Sequence, residues 1–268
     1  MPTAANDGVT IHYDRRGPID APTVVFIEGL GYGKWMWQWQ RDPLATEYDT
    51  IVPDNRGSGE SDAPPGPYTI GDMAADLEAV LAAAGVETAH VVGASMGGMI
   101  SQQYAISYDR AASLTLICTS PGGDEAVPTP PETMNRIMNV PEDLGPREAL
   151  RYKMAPATSE GFLEENPELA ADIIEWRLES DAPEDAREAQ AAAVAAFDAS
   201  EVLAAIDLPA LVMHGTADRV LPVENGKLLA DLLSDARLEL YEGAPHWVFI
   251  EESDAVTARL REFLDART

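Results

Sequence analysis

The stretch Ala89-His90-Val91-Val92-Gly93-Ala94-Ser95-Met96-Gly97-Gly98-Met99-Ile100 decides how this chain is read. Its opening residues form an apolar, strand-like run, and the helix-like run Met96 to Tyr108 follows. Between them Gly93-Ala94-Ser95-Met96-Gly97 fits the pattern G-x-S-x-G. In that pattern a strand enters a turn so tight that the serine is held in a strained backbone conformation. Glycines two before and two after keep neighbouring groups from colliding. The serine hydroxyl then projects from the top of a sheet. The first turn of the next helix points its unpaired N–H groups at any oxyanion that forms beside it.

Working outward, Val9 to Tyr13 alternates like an edge strand, Thr23 to Ile27 reads as the first fully buried strand, and Thr50 to Val52 reads as another. The segment Ile70 to Ala84 places Met73, Leu77, Val80, Leu81 and Ala84 at helical spacing, so one face is buried against a sheet. After the turn at Ser95 comes the strand Ala112 to Cys118. Strands Ala210 to Met213 and Arg237 to Tyr241 lie further on, with helices near Val223 to Leu233 and Ser253 to Leu264. This alternation predicts an α/β protein with a mainly parallel sheet of about eight strands and helices on both faces. The pattern breaks at Pro121. From there to about Ser200 no strand is expected, and Pro128, Pro130, Pro131, Pro141, Pro146, Pro156, Pro167 and Pro183 separate short helical segments. Residues 123–199 are therefore expected to form a helical cap, inserted between core segments 1–122 and 200–268.

With these elements assigned, the chain resembles the α/β-hydrolase superfamily. Five landmarks stand in the right order. They are Glu28-Gly29-Leu30-Gly31 after the third strand, Asp54-Asn55-Arg56-Gly57-Ser58-Gly59-Glu60-Ser61 after the fourth, the turn at Ser95, the loop His214 to Arg219 and the loop Glu242 to Trp247. The run Gly93 to Gln102, with Asp54 to Asp62, is most similar to capped lactone and ester hydrolases such as the 3-oxoadipate enol-lactonase group. The methyl-ester hydrolases of polyketide tailoring are close cousins. The superfamily's chain order is nucleophile, acid, histidine. Of the histidines His12, His90, His214 and His246, only the last two follow Ser95. Asp218 comes after His214, so the order is met by Ser95, Asp218 and His246, with His214 shaping the loop that carries the acid. Asp124, after the strand ending at Cys118, is a rival acid ranked below Asp218. The resemblance also implies an oxyanion hole made by the main-chain N–H groups of Leu30 and Met96. One departure stands out: many relatives carry His-Gly where this chain has Glu28-Gly29, and a carboxylate there alters the expected pH behaviour.

These residues imply a serine hydrolase acting on a small-molecule carboxylic ester or lactone through an acyl-enzyme, with no metal and no organic cofactor. Carbon–carbon hydrolysis of a diketone and cofactor-free perhydrolysis, formerly read as haloperoxidase activity, can run on the same triad and remain open. A non-catalytic ligand-binding module on the same scaffold is the reading from another class. Trp35, Met134, Met138 and Trp176 are candidates for the apolar wall and roof of the substrate pocket. Between Ser159 and Gln190 stand eleven acidic residues and two basic ones, which disfavours a polyanionic substrate. A dicarboxylate would call on Arg136, Arg147 or Arg151.

The chain has 268 residues, enough to bury roughly three quarters of the surface it exposes when unfolded. Cys118 is the single cysteine, so no internal disulfide forms, and it reads as a buried small hydrophobe. Met1 to Gly17 lacks a basic start followed by an apolar core, and no run approaches the ~20 apolar residues of a membrane span. A soluble, cytoplasmic protein is expected. Its 46 acidic and 18 basic residues give a formal charge of −28, which repels nucleic acid and anionic membranes. The excess is spread along the whole length, as on a surface kept hydrated in concentrated salt, and points to a halophilic source. Self-repulsion of this size weakens the compact state at low ionic strength. The Debye length falls from ~30 Å at 0.01 M to about 3 Å at 1 M, so the melting temperature is expected to climb steeply in sodium chloride over that range. Sulfate at matched ionic strength should act alike when dilute and diverge only when concentrated. A melting temperature flat in sodium chloride would contradict the halophilic reading.

Overall fold

The computed structural model describes residues 1–267. Eight strands, β1 (Thr3–Asn6), β2 (Val9–Arg16), β3 (Thr23–Ile27), β4 (Asp49–Pro53), β5 (Ala89–Ala94), β6 (Ala111–Ile117), β7 (Ala210–Gly215) and β8 (Ala236–Tyr241), form one sheet in the order β1-β2-β4-β3-β5-β6-β7-β8. β1 pairs with β2, and β2 with β4, in antiparallel fashion, while the remaining pairings are parallel. The sequence reading placed every strand but β1. That strand is too short for a periodic signal, and its cue is the Asp7-Gly8 turn, where both residues have positive φ (48° and 81°) as a tight hairpin requires.

The helices are α1 (Gln38–Leu44), α2 (Ile70–Ala83), α3 (Met96–Ser107), α4 (Pro131–Met138), α5 (Pro146–Met154), α6 (Phe162–Glu165), α7 (Pro167–Ser180), α8 (Glu184–Ala195), α9 (Glu224–Leu232), α10 (Val248–Glu251) and α11 (Ser253–Asp265). Strands β3, β4, β5 and β7 are buried along their whole length, because helices cover both faces of the sheet. Their alternate residues divide between two cores. Val25, Ile27, Val91 and Val212 pack with Met73, Leu77 and Ile100 of α2 and α3. Val24, Phe26, Val92 and Met213 pack with Leu44 of α1 and with Leu260 and Phe263 of α11. Helix α2 starts cleanly because Thr69 and Asp72 form a reciprocal capping box. No helix among the described residues is long and apolar enough to cross a membrane.

Helices α4 to α8 all lie between β6 and β7. The chain leaves and rejoins the core at one point, where Gly122 bridges Asp198 and the Ala199 N–H donates to Pro121 O at 2.9 Å. The excursion then splits between the two cores. Ile173 and Leu163 join the second, and Ala186 and Ala193 of α8 join the first. It therefore straddles the carboxyl edge of the sheet, where loops build sites in parallel α/β proteins.

Candidate active site

At the end of β5 the backbone of Ser95 turns to φ 55°, ψ −121°, and α3 begins at the next residue. A non-glycine residue in that region is strained and persists only when its surroundings fix it. They do so here through close approach. A Cβ on Gly93 would strike Gly97 O, and one on Gly97 would strike the carbonyl oxygens of Ile27 and Glu28. The Ser95 N–H donates to Ile117 O at 3.0 Å, and the Thr119 hydroxyl donates to Ser95 O at 2.6 Å. Ser95 itself is half-buried.

Asp218 and His246 arrive from the loops after β7 and β8. The Nδ1–H of His246 donates to Asp218 Oδ2 at 2.7 Å, and both side chains are almost wholly buried. The other carboxylate oxygen accepts the N–H groups of Val220 (2.7 Å) and Leu221 (2.9 Å). His214 Nε2 lies 2.9 Å from Leu221 O and 3.3 Å from Asp218 Oδ2, both acceptors, so that nitrogen carries the proton. This is the loop-shaping part expected of His214, whose ring is pinned on its other side by Gly226. Burial alone would push the Asp218 carboxyl up. The charge of His246 and the hydrogen bonds from both histidines more than reverse it, leaving the group well below the usual carboxylate range. Asp124 is exposed and makes no contact with either histidine among the described residues.

Cys118, His214 and Asp218 bring ligand atoms within 4.8 Å of one another, close enough to suggest a metal. Apart from His214 Nδ1, which has no hydrogen-bond partner, their atoms are otherwise engaged. Nε2 of His214 is a donor, the oxygens of Asp218 accept from four groups, and burial followed by the Asp218 charge pushes the Cys118 thiol well up. The trio is a hydrogen-bonded support for the carboxylate.

The glycine loop after β3 faces Ser95, and a Cβ on Gly29 would lie 3.5 Å from the Ser95 Cβ. The Gly31 N–H donates to Gln190 Oε1 at 2.7 Å, and Gly31 O accepts from the Ala182 N–H at 2.9 Å, so α8 and the turn before it clamp this loop. Gln190 is fully buried and also donates to Arg56 O, tying the glycine loop to the loop after β4. Sequence reading missed Gln190, which there was only one polar residue in an alanine-rich helix. Among the described residues no loop or side-chain acceptor takes the N–H of Leu30 or of Met96.

Of the four pocket candidates the structure unites two. Trp35 and Trp176 stack at 5.9 Å between ring centroids, and Trp35 also meets Tyr32 (5.5 Å) and Trp247 (6.4 Å), the residue after His246. Met134 and Met138 stand apart on α4, 45% and 70% exposed, and do not join this aromatic group. Trp37 is core, packed on Phe26 and Phe249. A cavity of about 330 Å³ opens between α4, α6 and the loop after β7, lined by Thr133, Arg136, Leu163 and Arg219, and includes none of Ser95, Asp218 or His246.

An eight-stranded, mostly parallel sheet with a strained serine after β5 and a carboxylate–histidine pair after β7 and β8 defines an α/β-hydrolase architecture. The family described as alpha/beta hydrolase fold matches residues 22–253, and the chain belongs to it. It is 29% identical over 257 residues to 3-oxoadipate enol-lactonase 2 of Acinetobacter baylyi, covering 94% of this chain and 92% of that protein. It is also 29% identical over 270 residues to the bifunctional esterase/perhydrolase DCH of Acinetobacter calcoaceticus, covering 96% and 97%. The crystal structure of the enol-lactonase from Burkholderia xenovorans LB400 superposes with a TM-score of 0.85 at 28% identity, over 98% of this chain and all of that one (100%).

Glu28 supplies a test of the site's electrostatics. Its side chain is fully buried, and neither carboxyl oxygen has a hydrogen-bond partner. Burial, then the charge of Asp54, hold its pKa well above the usual carboxylate range against the opposing pull of Lys34. The folded pKa therefore exceeds the unfolded one. As pH rises past about 4.3 the unfolded chain releases this proton while the folded chain keeps it, so stability falls until the folded group also ionises. Glu28→Gln removes that loss. Its stability advantage over the parent should be near zero at pH 4 and grow by up to about 1.4 kcal/mol per pH unit above it. Denaturant melts of both proteins across pH 4 to 8 read this directly. A difference that stays constant with pH would mean that Glu28 is ionised in place.

Proposed function

We propose that the protein is a serine hydrolase of carboxylic esters or lactones. The observation that carries the reading is the 2.7 Å Asp218–His246 hydrogen bond on the same sheet edge as the strained turn at Ser95. His246 Nε2 takes the Ser95 proton as the hydroxyl oxygen attacks the substrate carbonyl. Asp218 holds the imidazole with its proton on Nδ1 and stabilises the imidazolium that forms. The amides of Leu30 and Met96 receive the oxyanion, where loss of one such donor typically lowers turnover ~10²–10³-fold. Collapse expels the alcohol, which takes its proton from His246, and leaves an acyl-Ser95. Water, deprotonated by His246, then releases the acid. The relatives named as an enol-lactonase and an esterase support this chemistry. The cap, residues 123–199, roofs the site in this reading, with Trp35 and Trp176 as part of its apolar wall.

p-Nitrophenyl esters of increasing chain length, run beside lactones, a diketone and a peroxide assay, separate ester and lactone cleavage from carbon–carbon hydrolysis and perhydrolysis. Ser95→Ala and His246→Ala should each abolish turnover while leaving the melting temperature close to the parent's, and the double variant should lose little more. Asp218→Asn should lower kcat by up to about four orders of magnitude by favouring the wrong imidazole tautomer. Retained turnover in Ser95→Ala, or a silent Asp218→Asn beside a crippling Asp124→Asn, would overturn these assignments.

A further inference from the structure

The loops that carry Asp218 and His246 are gripped from a third place, the short segment between α5 and α6. Arg219, the residue after Asp218, donates through Nη2 to Ala155 O and to Thr158 O, both at 2.7 Å. Trp247, the residue after His246, donates its N–H to Ala157 O at 2.8 Å. The Ser159 N–H donates to Glu251 Oε1 at 2.9 Å, and the Ser159 hydroxyl donates to the other oxygen of that carboxylate, on α10 behind the histidine loop. The run 155–159 therefore holds both loops, each just past its candidate catalytic side chain.

The two loops also meet directly, on their other side. There the Ala217 N–H donates to Ala244 O at 2.9 Å and the Gly243 N–H to Thr216 Oγ1 at 2.8 Å. Past Asp218 and His246, among the described residues, no hydrogen bond joins residues 219–223 to residues 247–251, and the carbonyls of Ala155, Ala157 and Thr158 bridge them instead. The bridge is itself fixed, because Met154 and Ala157 are buried in the second core and Pro156 is buried between them. Arg219 is well placed to clamp it. Asp218 closes the turn around Arg219 by accepting from the Val220 and Leu221 amides, so a side chain pinned at 219 fixes the main chain on which the carboxylate is mounted. A hydrogen bond between side chains of two separate loops holds its geometry only while the loops keep their spacing. A misplacement of about 1 Å can cost ~10²-fold in rate.

We propose that Arg219 is a positioning residue for the Asp218–His246 pair. By tying the Asp218 turn to the carbonyls of Ala155 and Thr158, on the segment that also holds Trp247, it keeps the carboxylate against His246 Nδ1. This rests on the serine-hydrolase reading and adds a residue to it. Arg219 acts through Asp218 on the orientation of the imidazole and takes no part in bond-making. The same bonds also satisfy carbonyls beyond the end of α5, a capping part that by itself affects stability alone.

The test uses Arg219→Met, which removes the donors and keeps a long stem, and Arg219→Lys, which keeps one donor nitrogen, all that the two bonds use. Arg219 is exposed, so neither change opens a hole in a core. On the p-nitrophenyl ester that the parent cleaves best, Arg219→Met should lower kcat roughly ten- to a hundredfold with KM changed less than about twofold, and Arg219→Lys should recover most of the loss. In an Asp218→Asn background Arg219→Met should cost less than about twofold, because the carboxylate through which it acts is already gone. A capping part alone would instead lower the melting temperature and leave kcat, measured below that melt, at the parent's value. An unchanged kcat, an equal loss in both backgrounds, or no recovery by Arg219→Lys would overturn the proposal. The Nδ1 proton of His246, identified in the proton NMR spectrum by its disappearance in His246→Ala, gives a readout that needs no turnover. Hydrogen-bonded to a buried carboxylate, it should resonate downfield of the amides in the parent and exchange faster with solvent in Arg219→Met, with Arg219→Lys between the two. If no ester is cleaved, the serine-hydrolase reading alone fails and this resonance still decides the clamp. A resonance identical in position and exchange rate in the parent and in Arg219→Met would overturn it.

Discussion

The structure depends on the close seating of α3 against the ends of β3 and β5. Gly97 approaches the Ile27 and Glu28 carbonyls so closely that no larger residue fits, and Gly93 is pressed by Gly97 in the same way. That contact forces Ser95 into the left-hand half of backbone space and brings the first turn of α3 beside its hydroxyl. It also sets the position of the glycine loop, because the carbonyls that Gly97 abuts belong to the residues leading into it. Serine, helix N-terminus and Leu30 amide are thus placed by one packing event. The strain at Ser95 is borne by the two buried cores on either face of the sheet.

A second constraint is the concentration of donors on Asp218. Two main-chain amides, two histidines and the Cys118 thiol surround one buried carboxylate, which stays ionised because its partners outweigh the burial. Its charge gives the His246 ring one orientation. Glu28 is the converse case, a buried carboxyl whose oxygens have no hydrogen-bond partner and whose pKa is pushed well up by burial and by the charge of Asp54. Two carboxyls near the same sheet edge are thereby shifted in opposite directions, and the difference lies in the number of donors each one meets.

What could be read in the sequence was local. The turn at Ser95, the loops of Asp218 and His246, and seven of the strands announce themselves through glycine spacing, strand period and chain order. The hairpin strand β1 was too short to show a period. The contribution of the helices between β6 and β7 was hidden for another reason. Gln190 finds its partner only when α8 folds back on the glycine loop, a contact across 159 positions of chain between Gly31 and Gln190. Counting charges from Ser159 to Gln190 missed the interior, since Asp181 turns inward with Arg177 while most of the other acidic residues face solvent. Met134 and Met138 failed in the opposite direction. They are apolar residues on a short helix with too little neighbouring structure to bury them.

The proposed chemistry requires Ser95 to be a nucleophile that the fold has strained and His246 has activated. Reaction with a fluorophosphonate, followed by intact mass and peptide mapping, tests this most directly. One phosphonyl adduct per chain is expected, mapped to Ser95, forming quickly in the parent and far more slowly in His246→Ala. No adduct at Ser95 in the folded protein, or labelling unaffected by the loss of His246, would contradict it.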